Sequence, residues 1–264
     1  MIMRKILSKK NQLLLAHALA LPLLPLLPTA SAWAADPAPV TQQSIVARLT
    51  PEQRIDRIEA VTAVTNTLGR YVFLHTANRH ADAEKLFALK TPGTRVEMMW
   101  GVYEGAQSIK RLYSGYHVWA DTNLKTGEYA KGTMHIHTLT TPIVEVAGDL
   151  KTAKAVWMSP GVETVRINDE LSANWGWMKY GADFIKEDGE WKIWHLHVYS
   201  LFFSPFETSW VKQRIDAAGE LPMPKEFYPD RKPTTNWDYR PDRSTVLEPV
   251  PPVPYWSFDD ATAY

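Results

Sequence analysis

Residues 175–203 read WGWMKYGADFIKEDGEWKIWHLHVYSLFF. Glu187-Asp188-Gly189-Glu190 contains the Asp-Gly step of a tight hairpin turn, because both central residues of such a turn need positive φ. The runs on either side, Trp175–Ile185 and Trp191–Phe203, are rich in aromatic and β-branched residues and read as two antiparallel strands. In a strand, side chains alternate between faces. A period of two predicts one face of Trp191, Ile193, His195, His197 and Tyr199, and an opposite apolar face of Trp194, Leu196 and Val198. Working outward, Ala153–Met158, Ile143–Val146 and Thr133–Thr141 read as further strands, with Gly148-Asp149 as a turn. Arg95–Trp100 alternates Val96, Met98 and Trp100 with Arg95, Glu97 and Met99.

Before these strands the period lengthens. Thr50-Pro51-Glu52-Gln53 supplies a capping hydroxyl, a proline at the first helical position and a Gln three residues after the cap. A helix is expected there, with Ile55, Ile58, Val61, Thr65, Leu68, Val72 and His75 as its buried stripe. Asp82–Leu89 predicts a short second helix. Gly105–Tyr116 predicts a third, with Ile109, Leu112, Tyr113 and Tyr116 inward. Helices followed by a run of antiparallel strands specify an α+β domain rather than a parallel α/β sheet.

The 264 residues carry 29 basic and 29 acidic side chains and no cysteine. Arg4, Lys5, Lys9 and Lys10, the apolar run Leu13–Leu27 and the small residues of Ala32-Trp33-Ala34 read as a secretory signal over residues 1–34. Pro22 and Pro25 interrupt the run, Pro28 follows it, and it is shorter than the ~20 residues of a membrane span. An exported chain, periplasmic or secreted, is the expectation, with no stable membrane span once the signal is removed. Loss of that segment leaves a net charge of about −4, which argues against nucleic acid as a partner. From Ser204 onward the chain holds 10 of its 19 prolines, interspersed with aromatics. Disordered segments are poor in aromatics, so residues 204–264 are expected to pack as an extension, on the domain or on a neighbouring subunit.

Three segments carry a family resemblance. They are Gly132-Thr133-Met134-His135 with Thr140-Thr141-Pro142, then Ile143-Val144-Glu145-Val146-Ala147-Gly148-Asp149, and finally Tyr180–Phe184 with Asp188-Gly189-Glu190-Trp191-Lys192-Ile193. In this order, over about Thr50–Phe203, they resemble the SnoaL-like branch of the nuclear-transport-factor-2-like superfamily. The resemblance implies a cone-shaped barrel of a curved, mainly antiparallel sheet packed on N-terminal helices, open at one end, and a homodimer or homotrimer. Its members include polyketide cyclases, ketosteroid isomerase, scytalone dehydratase and the γ-formaldehyde lyases. They share proton transfer in a dry pocket and no cofactor. His135 occupies the histidine position of the family's strand motif. Many members place an Asp just after the first helix; here that stretch reads His75-Thr76-Ala77-Asn78-Arg79-His80, so His75 stands where the acid is expected.

The catalytic candidates are therefore His135 and His75, imidazoles suited to proton transfer near neutral pH, and Tyr113 and Tyr116, phenols able to donate to a developing oxyanion. The substrate-binding candidates are Trp100, Tyr103, His137, Trp157, Trp177, His195, His197 and Tyr199. A strand histidine is equally a core group with its hydrogen bonds satisfied, and a helix tyrosine is equally packing. His135-x-His137 and His195-x-His197 on neighbouring strands would also present four imidazoles to a metal; the assignment adopted is no metal and no cofactor. Neither a phosphate-cradling glycine loop nor a dinucleotide or G-x-S-x-G motif is present. The expected activity is acid–base elimination of water or formaldehyde from a small aromatic molecule, for example a lignin-derived aryl-propanoid. A non-catalytic binder of hydrophobic ligands is the alternative.

Overall fold

The computed structural model describes residues 39–124, 131–167, 170–212, 223–235 and 239–264. The expected leader, residues 1–34, lies outside them. A short helix α1 (Gln42–Val46) precedes the long helix α2 (Pro51–Thr76). The expected capping box forms: Thr50 Oγ1 accepts from Gln53 N at 3.3 Å, and Gln53 Oε1 accepts from Thr50 N at 2.9 Å. Its buried stripe runs through Ala60, Val64, Thr67, Leu68, Tyr71 and Val72. Ile55, Ile58 and Val61 are 56%, 69% and 37% exposed, contrary to the expected stripe. Arg57 takes the inward position instead, donating to Val146 O and pairing with Glu145.

The short second helix begins earlier than expected, as α3 (His80–Ala83) followed by one 3₁₀ turn, Glu84–Leu86. The third is continuous but not uniform: α4 (Ala106–Lys110), a π-helix (Arg111–His117) and α5 (Val118–Leu124). Ile109, Leu112, Tyr113 and Tyr116 are buried along it, as the periodicity predicts.

Seven strands form one open, curved sheet: β1 (Arg95–Met98), β2 (Gly101–Glu104), β3 (Met134–His137), β4 (Thr140–Val146), β5 (Thr152–Ile167), β6 (Glu170–Glu187) and β7 (Glu190–Pro205). The order is β2-β1-β7-β6-β5-β3, with β4 also on β5. All pairings are antiparallel except β1 with β7. Asp188 and Gly189 take φ of 53° and 82°, the hairpin turn the sequence predicts. One face of the sheet packs on α2 and the α4 to α5 segment through Tyr71, Tyr113, Trp157, Tyr180, Phe184, Ile193, Leu196 and Val198.

Two bulges in β7 shape this sheet. Asp183 pairs with His195 while the next residue, Phe184, pairs with Ile193, so Trp194 is an extra residue. A bulge residue resets the alternation. Trp191 and Ile193 consequently share the core face with Leu196 and Val198, and His195, His197 and Tyr199 turn to the other face. That reverses the face assignment expected from a strict period of two.

The described residues of the extension pack on the domain of their own chain. Gly148 N and Asp149 N donate to Tyr255 O and Trp256 O, and Val102 N donates to Arg231 O. Gly148 is required at this crossing, since a Cβ there would stand 2.4 Å from the Trp256 ring. Among the described residues no helix is long and apolar enough to cross a membrane.

Candidate functional site

Five imidazoles gather between the helices and the edge of the sheet. His75 ends α2, His80 begins α3, His117 ends the π-helix, and His135 and His137 lie on β3. The ring centroid of His75 is 4.9 Å from that of His80, 5.8 Å from His117 and 5.4 Å from His137. His80 and His117 stack at 4.4 Å. The π-helix sets this approach: its wider turn carries Tyr113, Tyr116 and His117, and such turns often occur at functional sites.

Two carboxylates serve the cluster. Glu163 on β5 stands opposite His135 in the ladder. Its Oε2 lies 3.5 Å from His135 Nδ1 and its Oε1 lies 3.2 Å from His137 Nε2. Burial alone would raise the Glu163 pKa, but its hydrogen bonds to the two imidazoles outweigh burial and hold it at about 2, so it is ionised at neutral pH. Asp121 on α5 places Oδ2 3.2 Å from His80 Nε2. His75 titrates well below the ordinary 6.5, first through burial and then through the neighbouring imidazoles of His117, His80, His137 and His135. It is neutral at neutral pH.

A carboxylate only accepts hydrogen bonds, so it selects which nitrogen of a facing imidazole carries the proton. Neutral His135, protonated at Nδ1 toward Glu163, keeps a lone pair at Nε2. His137, protonated at Nε2, keeps one at Nδ1. Those two nitrogens are buried and have no hydrogen-bond partner among the described residues. Gly161 makes room for the second, since a Cβ there would stand 2.9 Å from His137 Nδ1 and 2.6 Å from Ile136 O. Aromatic rings close one side: Trp100 lies 6.2 Å from Tyr116 and 6.4 Å from His117.

Of the catalytic candidates, His135, His75 and Tyr116 belong to this cluster. Tyr113 lies behind it, fully buried, its hydroxyl donating to Tyr71 at 3.0 Å and its pKa raised well above the ordinary value by burial. Among the binding candidates, Trp100 and His137 are at the cluster. Tyr103 is a brace: its hydroxyl accepts from Trp100 Nε1 and donates to Phe227 O. Trp157 is buried in the core against Phe184.

Trp177, His195, His197 and Tyr199 are on the opposite face and correct the expectation that they line the same pocket. Trp177 meets Phe202 there. His195 bonds Asp183 at 2.8 Å, and Asp183 also holds Lys154 and Tyr264 N. His197 bonds Thr235, approaches Glu97 at 3.3 Å, and stacks on Tyr199 at 3.7 Å. The two His-x-His pairs are thus separated by β5 and β6 and face opposite ways, so they share no ion. Among the described residues no three His, Cys, Asp or Glu side chains are placed to hold a metal.

His80, His117, Asp121 and Glu163 were not among the candidates. The first three sit just past the helix ends that periodicity marks. Glu163 was hidden because Pro160-Gly161 reads as a strand end. β5 instead continues through them: Pro160 lies where β3 gives way to β4, and its carbonyl accepts from Thr138 N. A proline is tolerated where no ladder partner needs its missing N–H.

An open curved sheet packed on helices, with acid–base side chains between them, defines an α+β fold of the nuclear-transport-factor-2-like type. The chain belongs to the SnoaL-like domain family, which matches residues 56–197. No curated protein sequence matches it. Solved structures resemble it at low identity, among them three from Novosphingobium species. A candidate scytalone dehydratase from Novosphingobium aromaticivorans DSM 12444 is 12% identical over 59% of this chain and 93% of that one, with a TM-score of 0.46. A hexachlorocyclohexane dehydrochlorinase, LinA-type3 from Novosphingobium barchaimii LL02, is 16% identical over 59% and 96%, with a TM-score of 0.43. An ntf2-like protein with a cystatin-like fold from Novosphingobium aromaticivorans is 17% identical over 61% and 90%, with a TM-score of 0.39.

Proposed function

We propose that this chain is a cofactor-independent lyase that eliminates water or formaldehyde from a small aromatic molecule by acid–base catalysis. One observation carries the reading: a largely buried, ionised Glu163 is shared by His135 and His137, and each imidazole keeps a nitrogen without a hydrogen-bond partner among the described residues. A buried polar atom without a partner is costly unless something fills its place, and an imidazole oriented by a carboxylate is the arrangement that general acid–base catalysis uses. His135 Nε2 takes or returns the substrate proton. The adjacent carboxylate stabilises the imidazolium that forms. For water, a base removes a proton from carbon, the carbon–oxygen bond breaks and an imidazolium protonates the departing hydroxyl. For formaldehyde, a base removes the proton of the hydroxymethyl O–H, the carbon–carbon bond breaks to release CH2O, and the electron pair left on carbon expels a neighbouring hydroxyl that an imidazolium protonates to water. Trp100 and Tyr116 offer flat apolar contact to an aromatic ring.

The test is kinetic, on a panel of aryl-propanoids and other aromatic alcohols. His135→Ala is expected to lower kcat by roughly 10²- to 10⁴-fold, the usual contribution of a positioned acid or base. KM should change less, because the interaction is needed mainly in the transition state. Turnover should survive chelation. Near-normal kcat in His135→Ala on a substrate that the wild type converts would overturn the assignment. Tight binding of panel compounds with no product would select the ligand-binding alternative.

A further inference from the structure

We infer that His80 and Asp121 are positioning residues that hold His75 in the tautomer of a second proton-transfer group, facing His135 across the same site. The inference rests on the acid–base reading above and extends it to residues outside the His135–Glu163 pair. Three contacts support it. Asp121 Oδ2 lies 3.2 Å from His80 Nε2. His80 Nδ1 lies 3.4 Å from His75 Nδ1. His117 stacks on His80 with the ring planes 18° apart.

Protons must alternate along this chain. Asp121 is an acceptor only, and its negative charge in ion-pair contact with His80 Nε2 favours the hydrogen on that nitrogen. A neutral His80 then has its lone pair at Nδ1. Two facing nitrogens form a hydrogen bond only if one carries the proton, so His75 donates from its own Nδ1. His75 Nε2 is left with the lone pair. At 3.4 Å the His75–His80 contact is long, as such bonds commonly are before substrate is bound.

His80 is 2% exposed, so the hydrogen bonds of its ring are made inside the protein. The groups facing His75 come from every side: Tyr71 on its own helix, His117 from the π-helix, and His135 and His137 from β3. Burial and those imidazoles keep His75 neutral, which suits a group that begins the cycle by accepting a proton. When His75 Nε2 takes a proton from substrate, the new imidazolium keeps its Nδ1 hydrogen bond to His80, and Asp121 supplies the opposing charge through His80. No proton need reach Asp121. For two imidazoles to divide the work, neutral His75 removes the substrate proton at Nε2, and His135 enters the cycle as the imidazolium that Glu163 stabilises and protonates the leaving group from its own Nε2.

Long-range ¹H–¹⁵N correlation spectra of histidine-labelled protein read the tautomers directly and need no substrate. His75→Gln assigns the His75 signals. His75 protonated at Nδ1 and His80 protonated at Nε2 are expected in the full protein. Asp121→Asn, whose amide both donates and accepts, should redistribute both tautomers and lower kcat roughly 10²-fold with KM within about twofold. Asp121→Glu restores an acceptor-only group and should recover the tautomers and most of the rate. His75 protonated at Nε2 in the wild type would overturn the inference, as would unchanged tautomers in Asp121→Asn or zinc bound by His75 and His80. If Asp121→Asn fails to fold, the wild-type tautomer alone decides. Correct tautomers with no turnover on any substrate would sink the enzymatic reading and leave the Asp121–His80–His75 arrangement standing. Turnover that depends on His135 with the wrong His75 tautomer would do the reverse.

Discussion

The two tyrosines of the π-helix separate chemistry from packing. Tyr113 gives its hydrogen to Tyr71, whose phenol burial raises to about 12. Tyr113→Phe removes that bond and should cost about 1–2 kcal/mol, with kcat within about twofold of wild type. Tyr116 borders Trp100 and His117, so Tyr116→Phe is expected to reduce kcat with little change in melting temperature. Steady-state kinetics with thermal melts on both variants distinguish the two roles. A large rate loss in Tyr113→Phe would return that residue to the site. His75, which stands where many family members carry an acid, is surrounded by imidazoles rather than paired with a carboxylate directly. The acids come from Glu163 and Asp121, distant in sequence from it and from each other.

Secondary-structure elements divide the same way. The β6–β7 turn was readable from Asp188-Gly189 because its backbone demand is local. Nothing lies within 4 Å of a Cβ placed on Gly189, so Gly189→Ala tests the φ of 82° alone. It should cost about 1–2 kcal/mol by chemical denaturation. No loss would mean that the turn relaxes to another type. The bulge at Trp194 was not readable, because it depends on how β6 and β7 fit against α2 and not on any local turn residue. Deleting Trp194 would leave Ile193 on the core face and His195 and His197 on the opposite one, now in strict alternation, because Phe184 already pairs with Ile193 and Asp183 with His195. The loss is then confined to the contacts of the Trp194 ring, its bond to Pro92 O and its stacking on His195. The expected outcome is a cooperatively folding protein that melts below wild type. A deletion variant that does not fold would show that the bulge itself is required.

At the scale of the whole molecule, buried imidazoles tie stability to pH. His75, His195 and His197 all titrate below the ordinary 6.5, burial being the largest cause, and His197 reaches about 4. A lowered pKa means that the unfolded chain binds more protons between the two values. The stability these groups contribute is therefore complete above pH 6.5 and is lost as pH falls through their folded values. Each adds a slope of about 1.4 kcal/mol per pH unit inside its window. Glu163 contributes in the same sense, but at lower pH, between its ordinary 4.5 and about 2. Urea titrations from pH 7.5 to 4.5 should show falling stability, and a flat profile would mean that these imidazoles are solvated. Export is a separate proposal. Protein recovered from its native host should begin near Ala35, and an intact Met1 on a soluble cytoplasmic product would refute it.

Capping, turns and periodicity are consequences of neighbours along the chain. For that reason the α+β order, the Thr50 capping box, the β6–β7 hairpin, the π-helix stripe and the motif around His135 could be read without coordinates. What lay beyond that reading was every feature that depends on pairing across the chain. The inward turn of Arg57 needs the end of β4. The reversal of His195 and His197 needs the Trp194 bulge. The continuation of β5 through Pro160-Gly161 needs the break between β3 and β4. The cluster of His75, His80, His117, His135 and His137 with Glu163 and Asp121 draws on α2, α3, the π-helix, α5, β3 and β5. Only the tertiary structure decides which of these side chains meet, because register and crossing are set by burial of the whole apolar surface at once, and no stretch of a few residues contains that information.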